Sequence, residues 1–202
     1  MWDRKEKPAV LVVFFLPLAW MLYSLFSGRY FPDPAEPFMT VSGIWASVFL
    51  VISLFITPLV KNTKKLKVIN RYRRFVGLTA FWYSSLHLFS YLLLHAGFNF
   101  NWIQEDLIKR PYIYVGVTAF FILSLLAITS FKFMVVRLGK RWKIIHKCVY
   151  FTAILVVAHL WWQIKADYEI ALWITPFLVI PLLVRVWMAK LNWRVKLKKA
   201  SL

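Results

Sequence analysis

The chain has 202 residues, of which 61% are hydrophobic and only 17% are charged. So apolar a composition excludes a single soluble domain with a solvated surface and predicts that the lipid bilayer is the solvent. The only cysteine, Cys148, excludes a disulfide framework and a thiolate cluster, and the meaning of the +18 net charge depends on where the charges lie.

Six apolar stretches follow one another along the chain, separated by loops that carry most of the charge. They predict an all-α integral membrane protein, a bundle of about six transmembrane helices in one domain over residues 1–202. The predicted helices cover residues 9–26, 40–60, 75–96, 111–131, 147–164 and 170–189. The first stretch follows basic residues as a signal peptide would, but it is long for one and no small-residue cleavage motif follows it. Arg185, near the end of the last stretch, is expected to snorkel to the headgroups.

The basic residues alternate between the two sides of this predicted bundle. One set of loops and both termini carry 22 Lys and Arg residues, whereas the other three loops carry 4. The richer side is predicted to be cytoplasmic, so that both termini are cytoplasmic and the basic face meets anionic lipid headgroups. The inner loop from Lys61 to Arg74 either forms an interfacial amphipathic segment or simply supplies topogenic charge.

The four histidines are the residues best suited to chemistry inside the predicted bundle. No acidic residue falls within a predicted span, which removes the carboxylates used in proton-coupled transport and paired acid–base catalysis. His87 and His95 lie on the third predicted helix, and His146 and His159 lie on the fifth. A single intramembrane histidine often only packs, but four histidines on two helices favour a bound group.

Helical rise predicts which of these histidines meet. His87 lies 13 residues after Arg74, and His159 lies 13 residues after His146, on helices that run in the same direction. Both imidazoles are therefore expected ~20 Å from the inner boundary, where they could ligate one haem iron from its two sides. Thirteen residues turn an ideal helix by ~140°, so His146 and His159 need not lie on the same face. Either His146 lies just outside regular helix, or the helix is locally distorted, or the two histidines serve different ligands. His95, rotated by ~80° from His87, is not expected to bind the same iron.

Several arginines accompany the histidines at the predicted cytoplasmic side. Arg73, Arg74, Arg137 and Arg141 are candidates for contacts to haem propionates or to a flavin, or else mark that side only. No Walker glycine loop, G-x-S-x-G, H-E-x-x-H or Cys-x-x-Cys motif occurs, so the corresponding enzyme classes find no support. A bare zinc or iron ion on the same histidines would lack neighbouring carboxylates or thiols.

A set of short motifs runs from about residue 56 to about residue 187. They are Arg73-Arg74-Phe75-Val76-Gly77-Leu78 before Leu86-His87 and Tyr91, Lys109-Arg110-Pro111-Tyr112, and Leu138-Gly139-Lys140-Arg141-Trp142 before His146, Val149-Tyr150 and His159. In combination they resemble the MsrQ (YedZ) family, the haem-binding membrane subunits of the bacterial periplasmic methionine sulfoxide reductase system. That family is part of the ferric-reductase-like transmembrane group.

The resemblance implies a single ferric-reductase-like transmembrane domain in the bacterial cell inner membrane. It implies haem b, one or two per chain, with His87, His146 and His159 as axial ligands of iron. It further implies that electrons pass from a cytosolic flavin reductase, with bound FMN as a candidate cofactor and quinone as a candidate partner. They would reach a periplasmic molybdopterin-containing catalytic subunit, which itself reduces methionine sulfoxide.

Two other classes of function compete with the haem-b electron carrier. The chain could be a cofactor-free membrane anchor or assembly protein whose histidines merely pack, or a metal-ion transporter. Nucleic acid is not expected as a partner, because the basic loops are explained by topology. A Soret band that shifts on reduction separates the haem protein from both alternatives.

Overall fold

The computed structural model describes residues 7–62, 69–163 and 168–200. Within these ranges the chain forms helices joined by turns and contains no strand, so the predicted all-α membrane protein is confirmed. The helices are α1 (Lys7–Phe26), α2 (Ala35–Asn62), α3 (Arg73–Ser90), α4 (Phe100–Lys109), α5 (Tyr112–Ile128), α6 (Lys132–Leu138), α7 (Lys140–Ile145), α8 (Cys148–Gln163) and α9 (Glu169–Ala200).

The observed helices fall on the predicted stretches with shifted ends. The third predicted helix corresponds to α3 and a π-helical turn, Tyr91–His95, that continues it. Three short helices, α4, α6 and α7, lie in what the hydropathy pattern treats as loops or loop edges. The predicted interfacial segment of the loop from Lys61 to Arg74 lies partly outside the described residues, and a 3-10 turn over 69–72 leads into α3.

Length and hydropathy identify three candidate membrane spans in the described ranges: Ala35–Val60, Lys140–Gln163 and Glu169–Met188. The second of them combines α7 and α8 across the turn between them. The helices α4 and α5 pass the same test together but are bent by 108°, which would raise the number to four. The apolar part of α1, Val10–Phe26, is shorter. The count of six spans, and the placement of both termini on one side, stay predictions.

Two helix pairs build the centre of the bundle. Helix α2 packs along α3, and α5 packs along α8; α3 contacts α5, and α9 lies against both α2 and α8. The buried core contains Phe49, Leu54, Tyr83 and Leu178, each 3% exposed or less. Large apolar side chains such as Trp173 remain exposed on the outside of the bundle. An apolar exterior of this kind suits a protein whose surroundings are lipid.

A proline in α2 explains the position of Arg185. Pro58 has no backbone N–H, so the carbonyl of Leu54 lacks its helical donor. Arg185 of α9 donates to this carbonyl over 2.7 Å and also donates to the Tyr150 hydroxyl of α8. The expectation that Arg185 reaches the headgroups is therefore wrong, because its guanidinium satisfies an orphaned carbonyl inside the bundle.

Candidate functional site

The structure brings His87 of α3 and His159 of α8 together. Their ring centroids are 6.2 Å apart and their planes are inclined by 87°. The equal spacing of His87 and His159 from the basic end of the bundle predicted that these two residues would meet, and the structure shows them in contact. The rings lie near the first residues of α2 and α5, because they contact Met39 and Tyr112. The pair is thus closer to the end of the bundle that carries α4 than to the end that carries Arg74.

Each imidazole is held through its Nδ1 atom by a backbone carbonyl on the neighbouring helix. His87 Nδ1 lies 2.8 Å from the Met39 oxygen, and His159 Nδ1 lies 2.9 Å from the Tyr112 oxygen. A carbonyl only accepts, so Nδ1–H must be the donor in both contacts. The Nε2 lone pair of each ring is then available to a metal, in the arrangement that protein metal sites use to fix histidine ligands.

A glycine lies against each of the two rings. A Cβ atom at Gly43 of α2 would come within 2.9 Å of His87 Nδ1, and one at Gly116 of α5 would come within 2.8 Å of His159 Cε1. Such distances are well below the ~3.5–4.0 Å of ordinary carbon contacts. Sequence reasoning missed both glycines, although an isolated glycine inside a membrane helix is a general signal of close approach.

The donor set fits a haem better than a bare ion. Two collinear bonds of about 2 Å to a shared metal, with the rings beyond them, place imidazole centroids ~6 Å apart, as observed here. No group of three or more His, Cys, Asp or Glu side chains that could hold a metal ion occurs among the described residues. A haem needs only axial protein ligands, because its macrocycle supplies the four equatorial nitrogens.

His146 belongs to a different level of the bundle. It caps the C-terminus of α7 in a turn before α8, so the interpretation that it lies outside regular helix fits the structure. Its Nε2 lies 3.2 Å from Thr129 Oγ1, and its ring packs against Trp142 at a tilt of 31° with 4.1 Å between centroids. Trp142 in turn donates to the Thr129 carbonyl. These contacts place His146 at the far end of α5, away from Tyr112.

A cavity of about 340 Å³ opens beside His146 at the basic end of the bundle. Its lining includes Arg73, Arg74, Trp142 and Ser130. Of the candidate arginines, Arg73 and Arg74 line this cavity, whereas Arg137 and Arg141 are exposed and do not. The acidic side chains in the described ranges lie in the α1–α2 connection, in α4 and at the starts of α2 and α9, which are at the other end of the bundle. The cavity is therefore suited to an anionic group.

His95 takes part in a polar network at the end of the bundle opposite the cavity. Asp106 of α4 lies 3.5 Å from His95 Nε2, 3.4 Å from an Arg110 nitrogen and 3.3 Å from the Tyr91 hydroxyl. Sequence reasoning left the role of His95 open and did not foresee this network, because α4 was not predicted. One residue away, the exposed Glu105 accepts from Lys109, and this hydrogen bond lowers the pKa of Glu105.

Comparison with known proteins identifies the family of the chain. The family model described as "Ferric reductase like transmembrane component" matches residues 10–157. A "Protein-methionine-sulfoxide reductase heme-binding subunit MsrQ" of Polaromonas naphthalenivorans is 40% identical over 158 residues, which cover 78% of this chain and 72% of the relative.

Two further relatives carry the same printed name. The protein from Cronobacter sakazakii is 38% identical over 79% of this chain and 80% of its own length. The protein from Caulobacter vibrioides is 33% identical over 91% of this chain and 92% of its own length. The chain therefore belongs to the ferric reductase like transmembrane family and, within it, to the MsrQ group.

Proposed function

We propose that the chain is a haem b-containing transmembrane electron carrier in which His87 and His159 are the axial ligands of one low-spin haem. The observation that carries this proposal is the pair of imidazoles 6.2 Å apart, each bonded through Nδ1 to a carbonyl. The printed names of the relatives, which describe a heme-binding subunit, support the same cofactor.

The protein's own groups prepare these ligands for the role. The hydrogen bonds from Nδ1 to Met39 and Tyr112 fix the tautomer and increase the basicity of Nε2, which strengthens a bond to ferric iron. Both rings are partly buried among the helices, and burial lowers the local dielectric. His87 and His159 would hold a haem there, and the haem would supply one-electron exchange between its ferric and ferrous states.

The cavity at the basic end is proposed as the second redox level. Arg73 and Arg74 line it together with His146, so cationic and imidazole groups are available to an FMN phosphate or to haem propionates. His146 and His159 are 13 residues apart, which corresponds to ~20 Å along a helix. A cofactor at each level would divide the width of the bundle into two electron-transfer steps.

The proposed partners follow from the orientation that the charges predict. Electrons would arrive from a cytosolic flavin reductase, or from quinone, at the basic end and would leave near α4 to a periplasmic molybdopterin-containing catalytic subunit. The relatives' names describe a subunit of a methionine sulfoxide reductase, which supports such a partner. Reduction of the sulfoxide would be the partner's reaction, and the bacterial inner membrane would be the site.

The alternatives have less support from the same residues. A metal-ion transporter would need more ligands than the described part of the chain brings together at any point. A cofactor-free anchor would have no need for two imidazoles 6.2 Å apart whose Nδ1 atoms are both bonded to carbonyls, which leaves both Nε2 lone pairs for a metal.

The proposal is tested on the purified protein by haem content and absorption. We expect a Soret band that shifts on reduction by dithionite, and a pyridine haemochrome assay that shows b-type haem. Replacement of either His87 or His159 with Ala should remove one haem per chain, whereas His95→Ala is the matched control on the same helical segment. Full haem content and an unchanged low-spin spectrum in both ligand variants would contradict the pairing.

A further inference from the structure

The two imidazoles are held by the same arrangement of backbone groups, although they lie on different helix pairs. His87 contacts the Met39 carbonyl and, one helical turn further along α2, Gly43. His159 contacts the Tyr112 carbonyl and, one turn further along α5, Gly116. The two hydrogen bonds span 48 and 47 residues of the chain, respectively.

These backbone groups leave each ring little freedom to rotate. The carbonyl fixes the direction of Nδ1, and the ring edge fills the volume that a side chain on the glycine would occupy. A Cβ at Gly43 would also lie 3.1 Å from His87 Cε1, and a Cβ at Gly116 would lie 2.9 Å from His159 Nδ1. Because the constraints come from main-chain atoms of packed helices, they are stiffer than side-chain contacts would be.

We propose that Gly43 and Gly116 are positioning residues that hold the His87 and His159 imidazole planes perpendicular to each other across the haem iron. The inference rests on the proposed function, in which both histidines are axial ligands. The observed angle of 87° between the planes is the geometry that the two carbonyl and glycine pairs impose.

Perpendicular planes have an electronic consequence in ferric low-spin haem. Each imidazole raises the energy of the iron d orbital with which its π system overlaps. Parallel planes act on the same orbital and split the dxz and dyz pair, whereas perpendicular planes act on one orbital each and leave the pair nearly degenerate. Near-degeneracy gives a highly anisotropic electron paramagnetic resonance signal with a large maximal g value, while parallel planes give an ordinary rhombic signal.

The test is the low-temperature spectrum of the oxidised, haem-loaded full chain, recorded for the wild type and for His146→Ala. The His146→Ala background removes any contribution from a haem at the second level. We expect the large-g signal in both proteins. In this background, Gly43→Ala and Gly116→Ala should each push one ring out of its plane and shift the maximal g value down towards the rhombic range. Thr118→Ala is the control, because this exposed threonine lies on α5 beside Gly116 and bonds only to its own helix.

The possible outcomes distinguish failure of the proposed haem ligation from failure of the proposed role of the glycines. Absence of haem, or of a low-spin signal, from the wild type would contradict the proposed function itself. A rhombic signal at full haem content would leave haem ligation standing and overturn the perpendicular arrangement. An unchanged large-g signal in both alanine variants would overturn the role of the glycines. Loss of haem from both variants would also overturn it, because ring rotation alone should preserve ligation.

Discussion

Arg185 offers a test of whether a helix proline and a distant arginine are energetically linked. Arg185→Met keeps most of the side-chain length but removes the donor to the Leu54 carbonyl, which Pro58 has left without a helical partner. A buried acceptor without a donor costs about 1–3 kcal/mol, and side-chain hydrogen bonds measured within membranes average ~0.6 kcal/mol with a maximum near ~1.7 kcal/mol. We therefore expect Arg185→Met to lower the free energy of unfolding by about 1–2 kcal/mol.

A double-mutant cycle isolates the part of this loss that is due to the carbonyl. Pro58→Ala restores a backbone N–H that can bond to Leu54, so Arg185→Met should cost about 1 kcal/mol less in the Pro58→Ala background. Tyr150→Phe is the matched control, because it removes the other partner of Arg185 and should cost the same in both backgrounds. The assay is reversible unfolding in mixed detergent micelles, followed by far-ultraviolet circular dichroism. Equal costs of Arg185→Met in the presence and in the absence of the Pro58→Ala substitution would refute the reasoning.

Three further predictions concern the two ends of the bundle. Asp106→Asn should lower the unfolding midpoint in the same micelles, because it weakens the contacts to His95, Arg110 and Tyr91. Glu105→Gln, at an exposed site one residue away, should leave the midpoint unchanged, and equal effects of the two variants would show that the Asp106 contacts do not stabilise the fold. Alkaline phosphatase fusions in the segments 61–74 and 132–147 should be inactive and fusions in the segment 97–110 active, and the reverse pattern would overturn the orientation. His146→Ala should slow reduction by a flavin reductase in stopped-flow measurements while sparing the His87 and His159 haem, with His95→Ala as the control; unchanged kinetics would assign His146 to packing alone.

The positions of the helices and the depth of the histidines along them could be predicted, because both depend on residues close together in the sequence. Hydropathy predicts the six apolar stretches, and a fixed rise per residue is enough to pair His87 with His159. The same rise and rotation indicated that His146 and His159 need not share a helix face, and His146 does lie in the turn after α7. These features need only neighbouring residues along the chain.

Contacts between residues far apart in the sequence could not be predicted in this way. The carbonyls of Met39 and Tyr112 look like any others in the sequence, because hydrogen bonding to a histidine tens of residues away depends on how helices pack. The orphaned Leu54 carbonyl could have been inferred from Pro58, but its partner Arg185 lies 131 residues further along the chain. Helix α4 was missed because its polar residues resemble a loop, although Asn99 caps its first turn.

The identity of the axial ligands is the central claim, and near-infrared magnetic circular dichroism of the oxidised protein tests it most directly. The energy of the porphyrin-to-iron charge-transfer band depends on the chemical nature of the two axial ligands. In the His146→Ala variant, where the pair of His87 and His159 stands alone, we predict a single low-spin band at the energy of two neutral imidazoles. A high-spin spectrum, or a band typical of histidine with a different second ligand, would contradict the account.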